Sequence, residues 1–132
     1  MAARAHEGLG LVHWQRDEQA EALDHMAAAW RINPRLPDAN DILGQALMDQ
    51  GFPERAEEHF RVALQGKPDL PDLHANLAAA FYSQGKLEEA IRHMRMALEL
   101  RPDYAFGHNQ LAQVLQRTRD YEIGRASCRE RV

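Results

Sequence analysis

The 132-residue sequence predicts an all-α protein, a right-handed α-solenoid built from antiparallel helical hairpins. Prolines recur at intervals of 34 residues, at Pro34, Pro68 and Pro102. Between the prolines, apolar residues follow helical spacing in two runs, which predicts two helices in each interval. Other columns share the period, among them Leu9, Leu43, Leu77 and Leu111, and Ala22, Ala56 and Ala90. A period held in several columns is typical of stacked repeats.

The two helices of the second unit are predicted over residues 37–50 and 53–66. Gly51 lies in the break between them, where a short turn needs the positive φ that glycine adopts freely. Pro53 is harmless at the start of the second helix, because that N–H has no intrahelical partner. The connection is so short that the two helices must pack antiparallel.

Each repeat proline ends the second helix of its unit, since its ring cannot continue a helix and biases the preceding residue away from helical geometry. The units are therefore residues 3–36, 37–70, 71–104 and 105–121, the last with a first helix only. One hairpin buries only one of its sides, so each must stack on the next, and the stack is expected to curve around a concave face.

Small residues recur where helices must come close together. In the second unit Gly44, Ala56 and Ala63 allow helix axes about 8–10 Å apart. The space between the helices is expected to be filled by Leu43, Leu47 and Phe60.

These columns resemble those of the tetratricopeptide repeat family. The second unit matches the family pattern with Leu43, Gly44, Leu47, Ala56, Phe60, Ala63 and Pro68, and the third with Leu77, Ala78, Phe81, Ala90, Met94, Ala97 and Pro102. The first unit departs, with His13 in the aromatic column and Asp17 at the position of Gly51, so we expect its inner turn to be less regular. The resemblance covers residues 3–121 and implies a module that binds peptide segments along the concave face.

The final residues 122–132, EIGRASCRERV, do not continue the repeat pattern. The string resembles the translated read-through of a sequencing adapter, so we expect a non-native tail and a natural array that extends past both ends of this chain. The alternative is a solvated basic tail that caps the array or binds an anion.

Composition argues against several function classes. The net charge is −4, which gives no general attraction to nucleic acid. No apolar run approaches the roughly 18–20 residues that span a bilayer, so we expect no membrane insertion. The localisation stays open, because the lack of cysteine in the repeats fits the cytoplasm and the periplasm equally.

No catalytic constellation stands out, and we expect no enzyme activity and no cofactor. Ser83, Ser127 and Cys128 are the only serines and cysteine, and none lies in a nucleophile motif. Six of the seven histidines fall in two repeat columns, which favours a structural role over a metal site; these are His6, His74 and His108, and His25, His59 and His93.

The first helices carry a stripe that the core leucines do not occupy, and the resemblance assigns it to the concave face. The stripe contains an apolar column, Trp14, Met48 and Tyr82, an acidic column, Asp38, Asp41 and Asp72, and the polar residues Gln45, Asn109 and Gln113. Asn76 lies one step off the stripe and resembles the asparagines with which some arrays of this family bind a peptide backbone. This pattern predicts a partner with hydrophobic anchors and some positive charge. The alternative is that the aspartates serve solubility and the aromatic residues pack between helices.

The residues and the resemblance leave two functions open. The array is either an interaction module or assembly scaffold, or the substrate-recruiting part of a bacterial enzyme of the glycosyl- or sulfotransferase type. Family members that bind acidic chaperone C-termini use cations where aspartate and alanine stand here, so such tails are disfavoured as partners. RNA is disfavoured by the acidic excess.

Overall fold

The computed structural model describes residues 2–130, with side chains described for residues 2–126. In this part of the chain there are seven helices, α1 (Ala3–Gln15), α2 (Gln19–Ile32), α3 (Pro37–Asp49), α4 (Pro53–Gly66), α5 (Pro71–Ser83), α6 (Leu87–Leu100) and α7 (Ala105–Glu130). The most extensive contacts join α1 to α2, α3 to α4 and α5 to α6, and each second helix also packs on the next first helix. The predicted all-α solenoid of helical hairpins is confirmed.

The inner turns of the three hairpins are equivalent. Gly51 and Gly85 have φ of 86° and 78°, and Asp17 has φ of 60°. In each turn a backbone N–H bonds back to a carbonyl near the end of the first helix, at 2.9 Å for Glu18, 2.8 Å for Phe52 and 2.9 Å for Lys86. The expectation of a less regular first turn is therefore wrong, because aspartate tolerates the left-handed region better than most side chains.

The fourth unit contains one long helix in place of a hairpin. Arg119 occupies the position of Gly51 and Gly85, and α7 continues through it without a turn. The helix also passes the boundary after Tyr121 and extends to Glu130. That the tail is non-native stays a prediction.

The closest approach within a hairpin is between a small residue of the first helix and a large residue of the second. An added Cβ on Gly44 would lie 2.6 Å from Cε1 of Phe60, which is 1% exposed. One unit earlier, a Cβ on Gly10 would lie 2.9 Å from Cε of Met26. One unit later alanine replaces the glycine, and there the second helix again carries methionine, at Met94. The size of the residue on the first helix is thus matched to the size of the residue that faces it on the second helix.

A second pair of columns makes a polar contact across each hairpin. The Asn40 amide donates to the Pro34 carbonyl at 2.9 Å and accepts from Nδ1 of His59 at 2.8 Å. Where histidine replaces this asparagine, Nε2 of His74 donates to the Pro68 carbonyl at 2.9 Å, and its Nδ1 lies 3.4 Å from Nδ1 of His93. The two histidine columns therefore meet within a hairpin, which the sequence analysis did not foresee.

We expect Gly44→Ala to destabilise the protein by about 1–3 kcal/mol, because the new methyl group overlaps the Phe60 ring. Adding Phe60→Met should recover most of the loss, since alanine opposite methionine is the arrangement of the third unit. Urea denaturation of the four members of this double-mutant cycle measures the coupling. Additive losses of unfolding free energy in the two single variants would contradict this matching of sizes. Gly10→Ala should cost less stability than Gly44→Ala, because the end of the Met26 side chain can move away.

His74→Asn should make the protein less sensitive to acid. Burial, then the charge on His74, lowers the pKa of His93. A histidine with a lowered folded pKa contributes stability that is fully present above its unfolded pKa of about 6.5 and is lost as the pH falls from there through the lowered folded pKa. Asparagine keeps the bond to the Pro68 carbonyl and removes the facing charge.

Urea midpoints should therefore be similar for wild type and His74→Asn at pH 8 and higher for the variant at pH 5.5. The same shift at both pH values would contradict this assignment. His108→Asn is the matched control, because His108 makes the equivalent bond to the Pro102 carbonyl in the unit that has no second helix.

Candidate functional site

The first helices of the hairpins lie on the inside of the curve. The backbones of α1 and α3, of α3 and α5, and of α5 and α7 lie close together, whereas the backbones of successive second helices stay further apart within the described chain. A stack in which the first helices approach each other more closely than the second helices bends toward the first helices. The stripe that the sequence analysis singled out on these helices is named the inner face here.

Four of the predicted site residues line one cavity on the inner face. This cavity has a volume of about 280 Å³ and includes Trp14, Gln45, Met48 and Asn76. Its remaining lining residues are Gln19, Asp49, Phe60 and Ala79. Trp14 packs against the cluster shared by the first and second hairpins, and Met48 against the cluster that extends from the second hairpin into the third. With α1, α3 and α5 all contributing side chains, the cavity spans the three hairpins.

Two further predicted residues, Tyr82 and Gln113, line a more open cavity of about 510 Å³ between α5 and α7. The guanidinium of Arg117 covers Tyr82 there, with Cζ 4.8 Å from the ring centroid, and Nη1 donates to the Tyr82 carbonyl at 2.9 Å. Asn109 lies on the exposed surface near the start of α7. Seven of the ten predicted residues are thus divided between two cavities and an exposed position, and the three aspartates Asp38, Asp41 and Asp72 line neither cavity.

Asp41 lies at the centre of the polar part of the inner face. It accepts hydrogen bonds from the side-chain amides of Gln45 and Asn76, each at 3.1 Å. Burial raises the pKa of the Asp41 carboxyl, and these two hydrogen bonds oppose the shift only in part. Nearby, burial and the charge of Asp38 raise the pKa of Glu7. The raised pKa values reflect carboxylates that lie close together with incomplete hydration.

The structure also supplies cations that the sequence analysis missed. Lys67 bonds Asp38 at 2.7 Å, and the Arg101 guanidinium lies 3.9 Å from Asp72. Burial and a hydrogen bond with Asp72 raise the pKa of Tyr104 to about 12. Both ion pairs join residues 29 positions apart, and both cations directly precede a repeat proline. The repeat period itself was the signal that could have revealed them.

Among the described residues no group of three potential metal ligands converges, and no helix is both long and apolar enough to cross a bilayer. The inner face offers two cavities with mixed apolar and polar linings, partly buried carboxylates and side-chain amides. Such groups suit the recognition of side chains and of an extended backbone.

We expect Asp41→Asn to stabilise the protein at neutral pH. A carboxyl group with a raised folded pKa opposes folding while it is ionised, and this cost disappears as the pH falls through the raised value. Asparagine removes the charge and keeps an oxygen to accept hydrogen bonds. The melting temperature of the variant should exceed that of wild type at pH 7, and the difference should shrink toward pH 4.5. A lower melting temperature at pH 7 would contradict this, and Asp38→Asn, which loses an ion pair to Lys67, is the comparison.

Comparison with known proteins places the chain in a family. A family model described as tetratricopeptide repeat matches residues 1–37 and 43–105. No curated protein sequence matches the chain significantly.

Solved structures with the same fold include complete domains and parts of larger proteins. The first TPR of Spaghetti (RPAP3), bound to the HSP90 peptide SRMEEVD, has a TM-score of 0.76 and 22% identity, covering 88% of this chain and 92% of that one. The Sgt2 TPR domain from Aspergillus fumigatus has a TM-score of 0.75 and 17% identity over 91% and 81%. The Thermobaculum terrenum O-GlcNAc transferase has a TM-score of 0.75 and 25% identity over 86% of this chain but 22% of that one.

The 34-residue period, the equivalent hairpins and the match of the family model over most of the chain agree. The chain belongs to the tetratricopeptide repeat family, whose repeats generally mediate protein–protein interaction.

Proposed function

We propose that the inner face binds an extended segment of a partner protein that carries an apolar anchor close to a lysine or arginine. The observation that carries the proposal is the cavity beside Trp14 and Met48, whose rim leads directly to the Asp41 network through Gln45 and Asn76. Apolar and acidic groups therefore lie next to each other on neighbouring helices of the inner face.

The size of the cavity favours one side chain of a polypeptide. Its volume of about 280 Å³ lies just below the roughly 300–1,000 Å³ that is usual for drug-sized ligands. An anchor residue entering beside Trp14 and Met48 would bury apolar surface, which lowers the free energy of binding by about 25 cal/mol per Å². The partner backbone would then pass Gln45 and Asn76, whose amides can donate and accept hydrogen bonds.

Charge on the inner face favours a basic residue beside that anchor. The carboxylates of Glu7, Asp38, Asp41 and Asp72 outnumber the two cations Lys67 and Arg101 that reach them. A lysine or arginine near Asp41 would lower the raised pKa of this carboxyl group and would be attracted by the neighbouring aspartates. An acidic tail such as the peptide bound by the Spaghetti domain would meet like charge here.

The array itself is proposed to act without catalysis. A second candidate function is recruitment of protein substrates to an enzyme domain that lies outside this chain. The likeness to part of the Thermobaculum terrenum O-GlcNAc transferase favours this candidate, because there the matched region is 22% of an enzyme chain. Both functions use the inner face in the same way.

Selection from a random twelve-residue peptide library tests the proposed recognition. We expect enriched peptides to carry lysine or arginine within four residues of a large apolar residue. The double variant Asp38→Asn with Asp72→Asn should weaken the binding of a selected peptide about fivefold, because two partly exposed ion pairs contribute roughly 1 kcal/mol in total.

The matched control is Asp69→Asn with Asp103→Asn, which changes the net charge equally at exposed positions in the connections between hairpins. Enrichment of acidic peptides, or an equal effect of both double variants, would refute the proposal. Fluorescence anisotropy of the labelled peptide measures the affinities.

A further inference from the structure

A second cavity opens on the opposite side of the array, between the first and second hairpins. It has a volume of about 370 Å³ and lies between the second helices α2 and α4, with α3 as its floor. The apolar part of its lining is formed by Leu23, Ala27, Trp30, Leu43, Ala46 and Leu47. We name it the outer cleft.

The next hairpin junction shows what normally fills this position. One repeat later, Arg61 and Phe81 stand at the positions of Ala27 and Leu47, and the Arg61 guanidinium lies 5.6 Å from the Phe81 ring centroid. Glu57 stands at the position of Leu23 and accepts a hydrogen bond from Gln84 at 2.9 Å. The equivalent space is thus occupied by the chain's own aromatic ring and by a polar network across it.

The outer cleft exists because smaller side chains replace these groups. The space that Arg61 and Phe81 fill one repeat later is left open here, because alanine (Ala27) replaces the arginine and leucine (Leu47) replaces the phenylalanine. Trp30 stays 37% exposed at the cleft. The ring of His59 packs against it edge to face, with centroids 5.6 Å apart. An aromatic wall and an aliphatic floor are therefore present without the side chain that would cover them.

Charge at the outer cleft also differs from that one repeat later. Arg31 and Arg55 line the cleft, whereas Gln65 and Glu89 hold the equivalent positions. Neither arginine makes an ion pair among residues 2–126. The remaining ionisable lining groups are Asp24 and His59, and burial lowers the pKa of His59 so that it is neutral near pH 7. The net charge of the lining is positive, in contrast to the inner face.

We infer that the outer cleft is a second binding site, which takes one large apolar side chain of an acidic segment in a partner protein. The apolar side chain occupies the space that Arg61 and Phe81 fill one repeat later, and flanking carboxylates bond Arg31 and Arg55. The site goes beyond the inner-face function and does not depend on it, since α2 and α4 contribute most of its side chains.

The test uses Trp30 as the reporter. Trp14→Phe leaves Trp30 as the only tryptophan, because the chain has two. The probe is a twelve-residue peptide with one phenylalanine between two pairs of glutamates, in a background of glycine and serine. Two matched peptides carry alanine for the phenylalanine or lysine for the glutamates. We expect the acidic phenylalanine peptide to shift Trp30 emission saturably and each matched peptide to bind at least tenfold more weakly.

Filling the cleft should abolish this binding. Ala27→Arg with Leu47→Phe installs the pair that the chain itself uses one repeat later, so the fold should be retained, as circular dichroism and the melting temperature will show. This variant adds a positive charge, so a loss of affinity for the acidic peptide cannot come from weaker attraction. Arg31→Gln with Arg55→Gln should weaken binding about tenfold, whereas the control Arg92→Gln with Arg95→Gln, on exposed positions of α6, should not.

Three outcomes would overturn the inference. The first is no saturable response of Trp30 to the acidic peptide, and the second is unchanged binding in the filled variant. The third is a concentration-dependent dimer, seen by sedimentation, that the filled variant dissociates, since the occupant would then be a second copy of the chain. Binding of basic peptides to the inner face is measured separately and should be unaffected by filling the outer cleft.

Discussion

The close approach of the two helices in each hairpin is the contact on which the rest of the structure depends. In the second hairpin Gly44 lets the Phe60 ring lie against the backbone of α3. Burial of that ring fixes the distance between α3 and α4, and with it the direction in which the first helix presents its other side. Repeating this contact at a fixed period places α1, α3 and α5 beside each other as one continuous face.

The same period that builds the core also distributes charge between the two sides of the array. Aspartates recur on the first helices, and cations from the connections before the repeat prolines reach two of them. The inner face is therefore acidic but partly compensated, while the lining of the outer cleft has a net positive charge because Arg31 and Arg55 outnumber Asp24. The two sites that we propose would therefore take segments of opposite charge.

The fold could be predicted from the sequence almost completely, because proline, glycine and small-residue columns each have a strict steric meaning. The features that depart from the repeat pattern, or that depend on contacts between units, were harder to predict. Asp17 at a glycine position suggested an irregular turn, yet its side chain tolerates the same backbone conformation. The stripe of site residues was found by helical spacing, but spacing cannot show that Arg117 covers Tyr82 or that Lys67 reaches Asp38, since both contacts cross between units.

The outer cleft could not be predicted from the repeat columns, for a related physical reason. Columns reveal what repeats, whereas a cavity forms where several columns depart together, and Ala27 and Leu47 are individually ordinary apolar residues of a helical array. Because Ala27 and Leu47 are close together in space, the two small side chains leave one cavity between them. Comparison with Arg61 and Phe81 shows which side chains occupy the equivalent space one repeat later. In a repeat protein the neighbouring unit thus serves as the reference state: positions that agree with it maintain the stack, and departures that cluster in space, as at Ala27 and Leu47, leave a cavity.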